Sequence, residues 1–371
     1  MRRALALAGS VGVTLAVVAT AFAFGTFDPV ANYAVGADGS SIAAADFNGD
    51  GYRDLANTDA NDDTVSVLLN KGAADPGKFD PRTFYPVGDE PRAVAIGDFQ
   101  RDRRADLVVA NRMDNNISIL RGKGDGTFLP QVTRAVGGSP RGIAIADFNG
   151  DGRPDLAVVN AATDNVSILL GKRHGKFGKL RNVKVGNNPR AIVAADFDGD
   201  HQKDFAAVND DDMNVSVKFG RGDGSFEGNR KLGVGSMANS LTAGDFNKDG
   251  LPDLAVANSG DNDVTVRLNK GNRRFGGRTD HPVGANPLFL TNGDVNRNGR
   301  TDLIIGNFDD NDITLLLGRS RGRFTAHDDG LDLAVTMPEG IAAAELNGDA
   351  GLDIAVAEGG NNKVGVLLNQ P

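Results

Sequence analysis

Cysteine and tryptophan are absent from this 371-residue sequence, tyrosine occurs three times and histidine four times. Lack of cysteine excludes disulfides and thiolate chemistry, but says little about compartment, because many exported bacterial proteins lack it too. With no tryptophan and only Tyr33, Tyr52 and Tyr85, exposed aromatic platforms for stacking sugars are scarce. The histidines, His174, His201, His281 and His327, sit at non-equivalent positions, and there is no nucleophile motif, phosphate loop or catalytic metal spacing. The sequence therefore reads as non-enzymatic. Bases number 40 against 49 acids, a formal charge of −9, which lacks the basic footprint a nucleic-acid partner requires.

One long apolar run exists, and it is at the start. Met1-Arg2-Arg3 precedes an apolar stretch from Ala4 to Phe24, with Ala21-Phe22-Ala23 as a small-x-small pattern. This reads as a secretory signal over residues 1–23, removed after about Ala23. The stretch is also nearly long enough to cross a bilayer, so an uncleaved anchor stays open as the alternative. Either way the rest of the chain is expected outside the cytoplasm: secreted, periplasmic or at the cell surface, with no membrane span once the signal is gone. Loss of Arg2 and Arg3 takes the charge from −9 to −11.

What is abundant is a repeat. Acidic segments begin at Asp46, Asp98, Asp147, Asp196, Asp245, Asp294 and Glu345, at steps of 52, 49, 49, 49, 49 and 51 residues. Fixed-period self-similarity of this length marks a propeller or solenoid. Within the third unit, Gly142 to Ala146 leads into the acidic loop. Leu156 to Val159 follows, then Val166 to Leu170, a Gly-rich turn with Phe177, and Val185-Gly186. Short runs rich in Val, Ile, Leu and Ala between Gly, Asn and Asp clusters are strands, and none has helical periodicity. Four strands per unit make one propeller blade. The expected fold is all-β: a single seven-bladed propeller over residues 24–371.

Ring closure is legible as well. A turn phenylalanine recurs as Phe79, Phe128, Phe177, Phe226, Phe275 and Phe324, while the chain ends on a third strand, Gly365 to Leu368. Phe27 through Val35-Gly36 matches Phe79 through Val87-Gly88, so the N-terminal strand is expected to complete the last blade and cover its open edge. The loop phenylalanines Phe47, Phe99, Phe148, Phe197 and Phe246 are expected to pack between blades. Asn111, Asn160, Asn209, Asn258 and Asn307 read as turn-formers bonded to backbone.

The Gly-x-Phe turns, the Val-Gly segments and the Asp-x-Asn-x-Asp-Gly-x-x-Asp loops, in phase from about residue 27 to residue 371, resemble FG-GAP (VCBS-type) repeats. Such repeats occur in the integrin α-subunit head and in many bacterial surface proteins. The resemblance implies a seven-bladed ring with calcium loops on one face and ligand-binding loops commonly on the other.

The loops themselves suit calcium, a hard cation taking 6–8 oxygens at ~2.3–2.6 Å. Carboxylates or amides at positions 1, 3, 5 and 9 and a backbone carbonyl at position 7 can wrap one ion, with glycine at 6 for the bend. Complete sets are Asp46, Asn48, Asp50, Tyr52 and Asp54; Asp147, Asn149, Asp151, Arg153 and Asp155; and Asp245, Asn247, Asp249, Leu251 and Asp253. The fourth loop offers Asp196, Asp198, Asp200 and Asp204, with His201 in the glycine place. The sixth offers Asp294, Asn296, Asn298 and Asp302, one charge fewer. Weaker still are the seventh (Glu345, Asn347, Asp349, Asp353, with Ala350 for glycine) and the second (Asp98, Gln100, Asp102, Asp106). In the second, Arg101, Arg103 and Arg104 stand ready to neutralise the acids in place of an ion. Asn57 and Val158 stand where an EF-hand has its glutamate, so these are not EF-hands. Several structural calcium ions are expected.

Six residues before each acidic loop stand Ser40, Arg92, Arg141, Arg190, Asn239, Leu288 and Glu339. The three consecutive arginines either hold a carboxylate or acidic sugar, or simply offset acidic loops such as Asp210-Asp211-Asp212. The function expected is a monomeric, calcium-dependent binding or adhesion module for a protein or glycan. A carbohydrate-binding lectin is the second reading and a polysaccharide lyase the third.

Overall fold

The computed structural model describes residues 26–327 and 335–370. The expected signal segment, residues 1–23, lies outside them. Seven four-stranded antiparallel sheets follow one another along the chain, plus a two-stranded ribbon, Gly171–Lys172 with Lys176–Phe177.

The second blade shows the plan. Its inner strand, Pro91–Gly97, pairs with Asp106–Asn111, which pairs with Asn116–Leu120, which pairs with Val132–Ala135. Inner strands of adjacent blades contact one another around the whole circle, including Pro338–Ala344 of the seventh blade against Gly39–Ala45 of the first. Every second strand is fully buried, as in Leu107-Val108-Val109-Ala110, because blades stack on both of its faces. That is why these strands read as unbroken apolar runs rather than alternations. The fourth strands form the rim and are largely exposed, carrying charges such as Arg134, Arg181 and Lys184 that discourage edge-to-edge association.

Packing between blades follows the phenylalanine repeat. The loop ring of one blade meets the turn ring of the next edge-on: Phe47 with Phe128, Phe99 with Phe177, Phe148 with Phe226 and Phe246 with Phe324, with Phe197 tilted against Phe275. Where the loop ring is missing, Val295 and Leu346 take its place, in the clusters that hold Phe27 and Phe79.

Closure occurs as the sequence indicates. Ala31–Ala34 pairs antiparallel with Lys363–Leu367, so the seventh blade draws its outer strand from the other end of the chain. The Asp28 amide donates to Leu368 O at 2.8 Å, and Tyr33 stacks edge-on against Phe79.

Candidate functional site

Both candidate regions lie at the ends of the inner strands. In every blade the inner strand is bulged after its first residue: Pro91 pairs with Asn111 but Ala93 pairs with Ala110, leaving Arg92 as the extra residue. The same shift occurs at Gly39/Ser41, Pro140/Gly142, Pro189/Ala191, Ala238/Ser240, Pro287/Phe289 and Pro338/Gly340. A bulge turns its extra side chain out of the sheet's alternation. Here the seven extra residues are Ser40, Arg92, Arg141, Arg190, Asn239, Leu288 and Glu339. All seven line one cavity of about 320 Å³ at the mouth of the central channel. The sequence placed these positions in phase; the bulge that gathers them was not read from it.

Charge around this mouth is uneven. Arg92 Nη2 lies 2.6 Å from Glu90 Oε1 and 3.7 Å from Asp38 Oδ2, and its Nη1 lies 3.8 Å from Glu339 Oε2. Glu90 also pairs with Arg112, and its two arginine partners hold its carboxyl below the ordinary range despite burial. Arg190 Nη2 lies 2.7 Å from Asp210 Oδ2. Each of these two arginines thus has an acidic partner within the protein. Arg141 differs: it makes no ion pair among the described residues, and its buried Nε has no hydrogen-bond partner. Burial lowers its guanidinium to about 10, with Arg190, Arg112 and Arg92 adding repulsion. Glu339, at the seventh position, is pushed up to about 7 by burial, with Asp38 adding to the rise and Arg92 opposing it.

At the other end of each inner strand is the acidic loop. Its first carboxylate folds over the turn: Asp46 Oδ1 accepts the Gly49 amide at 2.6 Å and Oδ2 the Gly51 amide at 2.9 Å. Position 6 is left-handed in every loop where a side chain replaces glycine, with φ of 66° at Arg103, 68° at His201 and 65° at Ala350. The backbone need inferred from Gly51 is therefore real, and non-glycine residues meet it under strain.

Position 9 has a role the sequence did not reveal. Asp54 is buried, and its two oxygens accept the amides of Phe47 and Asn70, both at 2.7 Å. Asp106, Asp155, Asp204, Asp253, Asp302 and Asp353 repeat this clamp. Burial raises all seven carboxyls, to about 6 in most and about 7 at Asp204 and Asp253, with neighbouring loop acids such as Asp50 and Asp46 adding to the effect. Carboxylate oxygens keep further lone pairs, so the clamp does not prevent metal ligation.

In the fourth loop, oxygens of Asp196, Asp198 and Asp204 lie within 4.8 Å of one another, close enough to share one metal ion. A shell of oxygens ~2.3–2.6 Å from one ion has that spread. Basic side chains intrude on some loops: Arg273 lies 2.7 Å from Asp198, Arg153 2.9 Å from Asp151, and Arg297 3.1 Å from Asp349. In the second loop, by contrast, Arg101, Arg103 and Arg104 are exposed and make no ion pair with Asp98, Asp102 or Asp106 among the described residues. They do not neutralise the acids in the way the sequence suggested.

The recurrent asparagines also differ from expectation. Each closes its second strand, buried, and reaches mainly to side chains: Asn209 Nδ2 donates to Asn214 Oδ1 at 2.9 Å and Ser216 Oγ at 3.0 Å, and Oδ1 accepts the Gly186 amide of the preceding blade at 3.0 Å. Asn258 makes the same contact with the Gly235 amide at 3.1 Å, so two of the five link consecutive blades, while the buried Oδ1 of Asn111, Asn160 and Asn307 has no hydrogen-bond partner among the described residues. Asp59 takes this place in the first blade, accepting from Thr64, Ser66 and the Gly36 amide.

Among solved structures, virginiamycin B lyase from Staphylococcus aureus is similar at 15% identity, covering 91% of this chain and 98% of that one, TM-score 0.63. A putative 6-phosphogluconolactonase from Bacteroides fragilis aligns at 16% identity, 82% and 86% coverage, TM-score 0.64. A lectin from Agrocybe aegerita that recognises non-reducing terminal N-acetylglucosamine aligns at 17% identity, 84% and 91% coverage, TM-score 0.55. At such identities the likeness is one of fold. No curated protein matches the chain. The profile of the FG-GAP-like repeat matches five overlapping segments, 46–109, 98–158, 147–207, 196–256 and 245–305. Together they span well over half of the sequence, and the chain belongs to the FG-GAP-like repeat family.

Proposed function

We propose that this is an exported, non-catalytic binding module for a protein or glycan, stiffened by calcium in its acidic loops. One observation carries the reading: seven bulges of identical geometry present seven side chains of mixed chemistry to a single cavity at one channel mouth. A scaffold that repeats everywhere except at the residues facing a cavity is built to recognise something there. That ring contains no histidine, and His281 packs against Phe324 in the rim instead. The acidic loops are at the far ends of the same inner strands, which suits ions that hold the ring rather than touch the ligand.

Calcium, when bound, would supply positive charge to the clustered carboxylates; the first, third and fifth positions of the loops would hold it, with the ninth-position clamp beneath. The lyase and the lectin above share the fold, so fold alone does not choose between catalysis and binding. A glycan array and a cell-surface protein pull-down, each run in calcium and in chelator, test the proposal. Retention of a ligand in calcium, unchanged in mass, is expected. Turnover of an acidic polysaccharide, read as new unsaturated ends, would replace this reading with a lyase.

A further inference from the structure

The geometry points to Arg141 as the anchor for the carboxylate of an acidic sugar entering the channel mouth, an inference that rests on the binding-module reading and specifies its ligand. Two positions supply the counter-charge for a bulge arginine in the neighbouring blades. One is two residues before it and the other twenty residues after it. Arg92 has Glu90 at the first position, and Arg190 has Asp210 at the second. For Arg141 the same two places hold Ser139 and Ala161. Arg141 is therefore unpaired by sequence, not by a chance rotamer, and no substitute acid reaches it among the described residues.

An unpaired, half-buried guanidinium between two neutralised ones costs folding free energy unless something answers its charge. The cavity of about 320 Å³ it faces is at the small end of ligand sites, large enough for one sugar ring. Its fork of N–H donors suits a planar carboxylate. Across the cavity, Leu288 and Phe289 offer an apolar wall for the C–H face of a pyranose, and Asn239, whose Nδ2 donates to Met237 O and Ser259 Oγ, offers its amide oxygen between the two. A dianion suits the site less well, since Glu339 lines the cavity and Asp38 lies 3.7 Å from Arg92 beside it.

Isothermal titration of the mature protein with D-galacturonate, and with neutral D-galactose and acetate as separate arms, tests this. Saturable binding of galacturonate, with galactose silent, is expected; acetate binding as tightly as galacturonate would assign the site to a free small carboxylate and overturn the sugar. Arg141→Gln should weaken galacturonate roughly 10- to 100-fold, the loss of one charged hydrogen-bonding partner. Ala161→Asp should do the same while leaving Arg141 in place, because it installs the partner that Arg190 already has; unchanged circular dichroism and melting confirm that the fold is intact. Equal galacturonate affinity in both variants and the wild type, or no saturable binding in the wild type, overturns the inference. If galacturonate fails while another ligand is retained in calcium, the carboxylate site falls and the binding module stands.

Discussion

The amide of Gln370 donates to the carbonyl of Thr26 at 2.8 Å, joining opposite ends of the chain in the same blade. With the Phe27–Asn369 bridge and the pairing of Ala31–Ala34 with Lys363–Leu367, it makes the first described strand a structural part of the last blade. Without it the third strand of that blade would present a bare edge, and Phe79 would lose its Tyr33 partner. Tyr33→Ala is expected to cost about 2–3 kcal/mol in urea unfolding, in the range for truncating a partly buried aromatic. A chain beginning at Asp38 should melt well below one beginning at Phe24 and aggregate on heating. Equal melting of the two would show that the closing strand contributes nothing.

The ninth-position aspartates belong to the loop's frame whether or not an ion is bound. Removing the Asp155 carboxylate strands the amides of Phe148 and Gly171, which it accepts at 2.8 and 2.6 Å. Asp155→Ala should destabilise by about 3 kcal/mol even in chelator, because buried donors are left unmet. Asp147→Asn should be nearly silent in chelator and costly only in calcium. If both variants lose stability only when calcium is present, position 9 is a ligand and not a clamp.

Calcium itself should raise the melting temperature, because an ion that binds only the folded chain adds RT ln(1 + [L]/Kd), ~2.7 kcal/mol per site at hundredfold excess. The size of the effect should differ among loops. The first and fifth are complete and their acids make no ion pair with a basic side chain among the described residues, whereas Arg273 and Arg153 already occupy Asp198 and Asp151. Asp46→Asn and Asp245→Asn should therefore remove more of the calcium-dependent shift than Asp198→Asn or Asp151→Asn. Differential scanning fluorimetry across a calcium titration reads the ranking, and identical curves with calcium and with chelator would remove calcium from the account.

How much of this the sequence carried depends on whether a feature repeats with the period. Strand order, closure through residues near Phe27 and the Phe47–Phe128 type of contact all recur in phase, and all were legible. The bulge at Arg92 was not, because Pro-Arg-Ala-Val has no signature separating a bulged pair from a regular one. The pairing of Arg190 with Asp210, in the turn after the second strand, is among the charge offsets the sequence left open, whereas that of Arg92 with Glu90, two residues before it, is not. The arginines near Asp98 misled for a related reason: proximity in sequence put them beside the acids, but positive φ at Arg101 and Arg103 belongs to a turn that leaves their side chains in solvent.

The last expectation concerns Glu339, whose position in the mouth ring gives it a titration of its own. Gly359 packs so closely that a Cβ there would lie 2.6 Å from Glu339 Oε1, and this contact helps keep water off the carboxyl. Arg92 offers limited relief, since Glu90 holds it at 2.6 Å and Glu339 meets it only at 3.8 Å. Burial therefore raises the carboxyl from 4.5 to about 7, with Asp38 reinforcing the shift. Between those values the folded chain keeps a proton that the unfolded chain releases, so this group makes stability fall as pH rises through the window. Below about 4.5 it is protonated in both states and contributes no slope; above about 7 the penalty is complete. Glu339→Gln removes the titration while keeping the size of the side chain, so the variant should gain on the wild type steadily across that range, at constant calcium, in urea midpoints. Parallel pH profiles for the two proteins would mean that Glu339 is ionised and solvated in the fold.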